Sequence, residues 1–248
     1  MVDIAASVLG LDNIEAALDP LLDYLDIIHL DVMDGRYVKK KTLDYDDQSA
    51  YTVERIAEFV PPGVYLDTHL MIDLNSESRS KIKKFIDAGS CGVTIHYESF
   101  SDNNKSDISA LLEYIRSAGV DAGIAVEPDT PVELLLPYLD LADRVLVMTV
   151  KSGEGGQGMI ESALEKIPYL RSKGYDGIIQ VDGGVNLNNI EKVKRAGADE
   201  IVIGSGLRKN NMPSLKIFNK FKDIVGYDDM PSLGIAGMLQ KYFRNIYK

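Results

Sequence analysis

The stretch HLDVMDG, from His29 to Gly35, sets an imidazole and a carboxylate two residues apart inside an apolar run, IIHLDVM. Residues two apart in a strand share a face, so His29 and Asp31 point the same way. A second apolar run, VYLDTHLMI, carries His69, and a third, GIIQVDGGV, carries Asp182. Two imidazoles and two carboxylates on strand ends form a donor set for a divalent metal such as zinc, manganese or iron. One strand histidine alone is ordinarily a hydrogen-bonded core residue. Four ionisable groups at the ends of three strands favour a site, provided the fold brings those ends together.

Such a fold is written in the spacing of the apolar runs. VDIAASVL, DIIHLDVM, VYLDTHLMI, GVTIHY, AGIAV, RVLVMTV, GIIQVDGGV and EIVIGSGL read as eight strands. Between them lie amphipathic stretches such as NIEAALDPLLDYL, SRSKIKKFIDAG, DISALLEYIRSAG, TPVELLLPYLDLA, IESALEKIPYLRSKG and NIEKVKRAGA, several ending in a glycine suited to a helix C-terminus. Eight alternating β and α units predict a single closed (β/α)₈ TIM barrel over residues 1–222, with strands buried on both faces. Catalytic groups of such barrels gather at the C-terminal strand ends, where His29, Asp31, His69 and Asp182 all fall.

The last two strands end in glycines. DGGVN follows the seventh and GSGL the eighth, and in barrels these loops commonly hold a phosphate on backbone N–H groups. Either pair alone is an ordinary turn. Their joint occurrence makes Gly183, Gly184, Gly204 and Ser205 candidate phosphate-binding residues.

Composition excludes several alternatives. A net charge of −11 argues against general nucleic-acid binding, which relies on basic patches. A small anion held locally remains allowed. The single cysteine, Cys91, rules out an internal disulfide framework, and the opening MVDIAASVLG lacks the features of a secretory signal. No run approaches the roughly 18 apolar residues of a membrane span. These points predict a soluble cytoplasmic protein. Two segments break the barrel rhythm. RYVKKKTLDYDDQSAYT is long and charged for a βα connection, hence a lid or a solvated insertion, and its Lys39 to Lys41 run reads as solvated loop. The C-terminal extension, 223–248, has apolar residues at helical spacing and predicts an added helix or a subunit contact.

The stretches HLDVMDG, DTHLM, TIHYES, EPDTPVELLLPYLDLADRVLVMTV, GEGGQ, VDGGV and GADEIVIGSGL run in order from the second strand to the eighth. Together they make the chain resemble the ribulose-phosphate 3-epimerase family, over about residues 1–222. The resemblance implies interconversion of ribulose 5-phosphate and xylulose 5-phosphate with one divalent ion, zinc, iron, manganese or cobalt. It implies metal ligation by His29, Asp31, His69 and Asp182, with Asp31 and Asp182 also the acid and base. Met33, Met71 and Met148 would lie near the metal and Ser7 in the active site. Gly155, Gly156 and Gln157 would join the glycine loops around the phosphate. Members commonly form dimers or hexamers, so a homo-oligomer is expected.

The implied chemistry suits these residue types. Moving a proton from one face of C3 to the other requires an acid and a base flanking the substrate plane, with a 2,3-enediolate between the two transfers. The periphery departs from the family pattern. Ala6 stands where a proline is usual, RYVKKKTLDYDD replaces most of the loop after the second strand, Ser152 and Glu154 alter the loop after the sixth, and Glu127 stands where a neutral residue is common. A 3-epimerase of a ketohexose 6-phosphate such as allulose 6-phosphate would share the core, as would a non-catalytic phosphosugar-binding paralogue. A decarboxylase of the orotidine-phosphate type is weakly matched, since LDTHLMID lacks its lysine.

Overall fold

In the computed structural model, which describes residues 2–42, 48–74, 78–101, 105, 107–153, 155–209 and 212–226, the eight apolar runs are eight parallel strands. They are β1 (Asp3–Ser7), β2 (Ile27–Met33), β3 (Tyr65–Met71), β4 (Gly92–His96), β5 (Asp121–Val126), β6 (Arg144–Met148), β7 (Ile178–Asp182) and β8 (Glu200–Ile203). Each pairs with the next, and β8 pairs with β1 through Ala5 opposite Val202, closing the barrel without an edge. The predicted (β/α)₈ TIM barrel is the observed fold. Among the described residues seven α-helices accompany the strands: α1 (Ile14–Leu18), α2 (Gln48–Phe59), α3 (Ser78–Asp87), α4 (Asp107–Ser117), α5 (Lys166–Ser172), α6 (Ile190–Ala196) and α7 (Leu215–Val225).

Strand parity divides the core in two. Ile28, Leu30 and Val32 of β2 join the apolar layer between strands and helices, with Leu70 of β3, Ile82 and Phe85 of α3, and Phe221 of α7. The intervening His29, Asp31 and Met33 therefore face the barrel interior. Register then aligns the strands at the mouth, with Asp31 opposite His69, Met33 opposite Met71, and Met148 opposite Asp182. Deeper in the barrel a small apolar layer of Ala5, Ile27 and Val202 packs with Tyr65.

Several connections differ from a plain helical reading. The segment TPVELLLPYLDLA forms a 3₁₀ helix, Val132–Tyr138, with Pro137 inside it. Proline has no N–H and clashes with the carbonyl four residues back, so a continuing α-helix is disfavoured there. Likewise α1 passes into a 3₁₀ turn, Asp19–Tyr24, that begins with Pro20 near its N-terminus. The charged segment after β2 is not wholly loop: its end is the start of α2, whose Val53 and Ile56 are buried. Its first part is organised by Asp34, whose carboxylate accepts from the N–H groups of Arg36 (2.8 Å), Tyr37 (3.1 Å) and Asp73 (2.8 Å).

At the other end, α7 runs through position 222 and stops at Gly226, a left-handed C-cap with φ 72°. Most of the expected C-terminal extension, from 227 on, lies outside the described residues, as does Glu154. Among the described residues no helix is long and apolar enough to cross a membrane.

Candidate active site

β2, β3 and β7 bring four of the predicted residues together. Donor atoms of His29, Asp31, His69 and Asp182 all lie within 4.8 Å of one another. His29 Nε2 is 3.3 Å from Asp31 Oδ1 and 4.0 Å from Asp182 Oδ2, and His69 Nδ1 is 3.0 Å from Asp31 Oδ1 and 4.0 Å from Asp182 Oδ2. Two donors each about 2.1 Å from a tetrahedral ion stand about 3.4 Å apart, so this spacing suits one divalent metal. A second observation agrees. His29 Nε2 is buried without a hydrogen-bond partner among the described residues while it faces carboxylate oxygens. A water or an ion accounts for a buried polar atom in that state, and the facing carboxylates favour a cation.

Further polar groups fix the far sides of His29 and Asp31. His29 Nδ1 is 2.7 Å from Asp67 Oδ2, and Ser7 Oγ donates to Asp31 Oδ2 at 3.1 Å. Thr42 Oγ1, from the loop after β2, donates to the Asp31 carbonyl at 3.0 Å and accepts from the Met33 N–H at 3.0 Å. Such partners hold ligands in orientation and set which imidazole nitrogen is bare.

Below this cluster lies a buried ionic layer. Arg144 donates to Asp67 Oδ1 at 2.7 Å and lies 3.1 Å from Glu200 Oε2, while Gln180 Nε2 donates to Asp67 (2.8 Å) and to Glu200 (3.1 Å). Fully buried charges persist only when paired and hydrogen-bonded, and here each has at least two partners. Tyr65 closes the layer, its ring 5.0 Å from the Arg144 guanidinium carbon and its hydroxyl donating to Asp121 at 2.6 Å.

Electrostatics separates the two candidate acid/base carboxyls. Burial works against the Asp31 charge, but His29 and His69 outweigh it and hold its carboxyl far below the ordinary range. Burial, together with the charge of Asp31, pushes Asp182 up to about 7. Burial opposes an imidazolium at His29, yet Asp31 and Asp67 prevail and raise its pKa well above the usual value. Burial brings His69 down to about 4 against its hydrogen bond to Asp31. The surroundings thus push the two carboxyls in opposite directions.

Above the cluster opens a cavity of about 300 Å³. Asp31 and Asp182 are at its base with Met33, Met71, Met148 and Ser7, whereas His29 and His69 are fully buried behind them. Its rim contains Gly155, Gly156 and Gln157 from the loop after β6, Gly183 and Gly184 after β7, and Gly204 and Ser205 after β8. Every predicted residue other than the two histidines therefore borders this one space. Gly184 must be glycine, because its φ is +66° and a Cβ would come 2.5 Å from the Met159 amide nitrogen. Gly183, at φ +121°, would meet Val150 in the same way.

The sequence reading missed several groups. Asp67 lies two residues before His69 on one strand face, so the parity that paired His29 with Asp31 also marks it. Lys40 borders the cavity although the lysine run reads as solvated. Arg208, also on the rim, donates to the carbonyl of Leu9. His96, the last of the chain's three histidines, lies behind His69.

Known proteins share this arrangement of chain. A model of the ribulose-phosphate 3 epimerase family matches residues 3–208. A ribulose-phosphate 3-epimerase of Aquifex aeolicus is 36% identical over 186 residues, covering 73% of this chain and 77% of that one. One of Schizosaccharomyces pombe is 33% identical over 208 residues, 82% of this chain and 86% of the relative. Among solved structures, 3-hexulose-6-phosphate synthase from Salmonella typhimurium superposes with a TM-score of 0.65 at 14% identity, over 90% of this chain and 98% of that one, which concerns the fold alone. The chain belongs to the ribulose-phosphate 3-epimerase family of isomerases acting on carbohydrates.

Proposed function

We propose that the protein interconverts D-ribulose 5-phosphate and D-xylulose 5-phosphate with one divalent metal ion, by proton transfer at C3 between Asp31 and Asp182. The observation that carries this reading is the placement of two carboxyls from β2 and β7 at the base of one cavity, with donor atoms of both lying within 4.8 Å of those of His29 and His69. His29, Asp31, His69 and Asp182 are the residues that would hold the ion. Once bound, it would stabilise developing negative charge on the substrate oxygens as a Lewis acid, worth several kcal/mol in general.

The protein's own groups supply the rest. Ionised Asp31 takes the C3 proton from one face, and protonated Asp182 returns one to the other; the reverse reaction exchanges the roles. Ser7 donates to Asp31 Oδ2 and fixes the plane of that carboxylate. Met33, Met71 and Met148 line the base with apolar, adaptable surface that keeps water from the planar 2,3-enediolate. Backbone N–H groups around Gly155, Gly156, Gln157, Gly183, Gly184, Gly204 and Ser205 hold the phosphate, with Lys40 and Arg208 supplying positive charge at the rim of an otherwise acidic protein. The protein works in the cytoplasm as a homo-oligomer on this reading.

The test is turnover of ribulose 5-phosphate followed by a coupled xylulose 5-phosphate assay, with chelator and then with zinc, manganese, iron or cobalt restored. Activity lost to chelator and regained with metal is expected. Inertness toward the pentulose with turnover of allulose 6-phosphate would move the substrate to the hexulose class. Binding of both sugars without turnover of either would make the protein a phosphosugar-binding paralogue.

A further inference from the structure

The loop after β2 crosses the mouth of the barrel. Its Tyr37 Oη lies 3.1 Å from Nδ1 of His96, at the end of β4, and donates to Oε1 of Glu127, just after β5, at 3.2 Å. Next to it Val38 meets the loop after β6: a Cβ on Gly153, at a φ of +112°, would stand 3.1 Å from Val38 Cβ. In a closed ring of eight strands β2 and β6 are opposite each other, so the two loops together close over the β4 and β5 side. The cavity is shaped accordingly. Residues of β1 to β3, of β6 to β8 and of their loops border it, and among the described residues none of β4 or β5 does.

Glu127 holds that closure together. Each oxygen of its side chain serves a different loop, Oε1 accepting from Tyr37 and Oε2 from the N–H of Ser152 at 3.3 Å. The backbone beneath is fixed on both sides: its N–H donates to Glu98 Oε1 at 2.9 Å, and its carbonyl accepts from Lys166 at 2.5 Å. Hydrogen bonds to a carboxylate are stronger than those to a neutral acceptor. A second tie from the loop after β6, Lys151 to Asp129, is an exposed ion pair and contributes little.

Ser152 carries this restraint to the substrate end of the cavity. Shortly beyond it in the same loop, Gly155, Gly156 and Gln157 border the cavity, while Asp31 and Asp182 sit at its base on strands. With C3 between the two carboxyls and the phosphate on the glycine loops, the reach between them is set by where the loop after β6 stands. A ketohexose 6-phosphate has one carbon more than a ketopentose 5-phosphate between C3 and its phosphate. A loop tied to Glu127 does not yield to the longer chain, whereas a released one can.

We propose that Glu127 is a positioning residue that acts through Ser152 to hold the loop after β6 at the reach of a five-carbon sugar phosphate, and so selects chain length. This inference rests on the proposed epimerase function. Its test compares the full-length wild type with Glu127→Ala, Glu127→Gln and Asp129→Asn, all in excess Mn²⁺. Three quantities are read: hydrogen exchange of the Ser152 amide, calorimetric affinity for the non-reacting ribitol 5-phosphate and glucitol 6-phosphate, and kcat/KM for ribulose 5-phosphate against allulose 6-phosphate. In Glu127→Ala the Ser152 amide should exchange about tenfold faster or more. The wild-type preference for the five-carbon ligand should fall roughly tenfold in both affinity and kcat/KM, within the roughly 10–200-fold that one carbon commands in a fitted site. For ribulose 5-phosphate the loss should fall on KM more than on kcat. Glu127→Gln, which keeps one acceptor oxygen, should lie between, and Asp129→Asn should match the wild type. A wild type without preference for five carbons, an unchanged preference in both Glu127 variants, or an equal change in Asp129→Asn would overturn the inference while leaving the epimerase reading intact. A wild type that turns over neither ketose would instead remove that reading, and the two alditol affinities would still decide the role of Glu127. Failure to bind either alditol would remove both.

Discussion

Asp67 stands behind His29 as a buried counter-charge: Oδ2 is 2.7 Å from His29 Nδ1, and neither side chain reaches solvent. The other oxygen of Asp67 is 2.7 Å from Arg144, so one carboxylate links the donor cluster to the ionic layer beneath it. Burial opposes that charge, but Arg144 and His29 keep its carboxyl well below the ordinary range. Asp67→Asn should therefore weaken Mn²⁺ binding by roughly ten- to a hundredfold while the barrel stays folded. Asp67→Ala should also cost about 3–5 kcal/mol of stability, since it leaves Arg144 short of a partner. Calorimetric titration and urea unfolding read the two effects separately, and wild-type Mn²⁺ affinity in Asp67→Asn would show that this contact does not orient His29.

The two mouth carboxyls should fail in different ways. Asp31→Asn and Asp182→Asn should each lower turnover by about 10²-fold to 10⁴-fold with an unchanged circular dichroism spectrum. Each variant keeps one carboxyl, so each should still exchange the C3 proton of one epimer with solvent. Near-native turnover in either variant would contradict a mechanism with two carboxyls.

Gly184→Ala should raise KM more than it lowers kcat. The substitution puts a Cβ at a left-handed φ of +66° and against the Met159 amide nitrogen, displacing a loop of the cavity rim without touching Asp31 or Asp182. The conformation alone costs about 1–2 kcal/mol. Steady-state kinetics and a melting curve test this, and an unchanged KM would remove this loop from phosphate binding.

Alkaline pH should destabilise the fold through a phenol far from the site. Burial, with Asp143 and Asp199 nearby, raises the Tyr175 pKa well above the ordinary tyrosine value, and its hydroxyl donates to the Ala142 carbonyl at 3.2 Å. A pKa raised in the folded state gives stability that is fully present below the unfolded value of about 10 and is lost as pH rises beyond it. The slope is about 1.4 kcal/mol per pH unit for this one group. Melting temperatures across this range should fall less steeply for Tyr175→Phe than for wild type, and parallel curves would exclude the tyrosine as the cause.

The parts of the site written at short range were legible, and the parts made by closure were not. His29 and Asp31 share a strand face by parity, and the glycine loops carry their own turn chemistry, so both could be read before the fold. Arg144 opens the run RVLVMTV, where a charge ordinarily marks the start of a strand at the surface. Only the closed barrel turns it inward onto Asp67 and Glu200. The pairing of Tyr37 with Glu127 spans 90 positions and leaves no local trace. The helix α2 was hidden by its polar first turn, which continues the charged segment before it.

Solvent exchange tests the central claim most directly. Ribulose 5-phosphate and the zinc-loaded protein in deuterated water, followed by NMR, should give deuterium at C3 alone, xylulose 5-phosphate accumulating in step, and both stopping when chelator is added. Deuterium at C1 instead of C3, epimerisation without label, or exchange indifferent to chelator would contradict proton transfer between Asp31 and Asp182 at a metal centre.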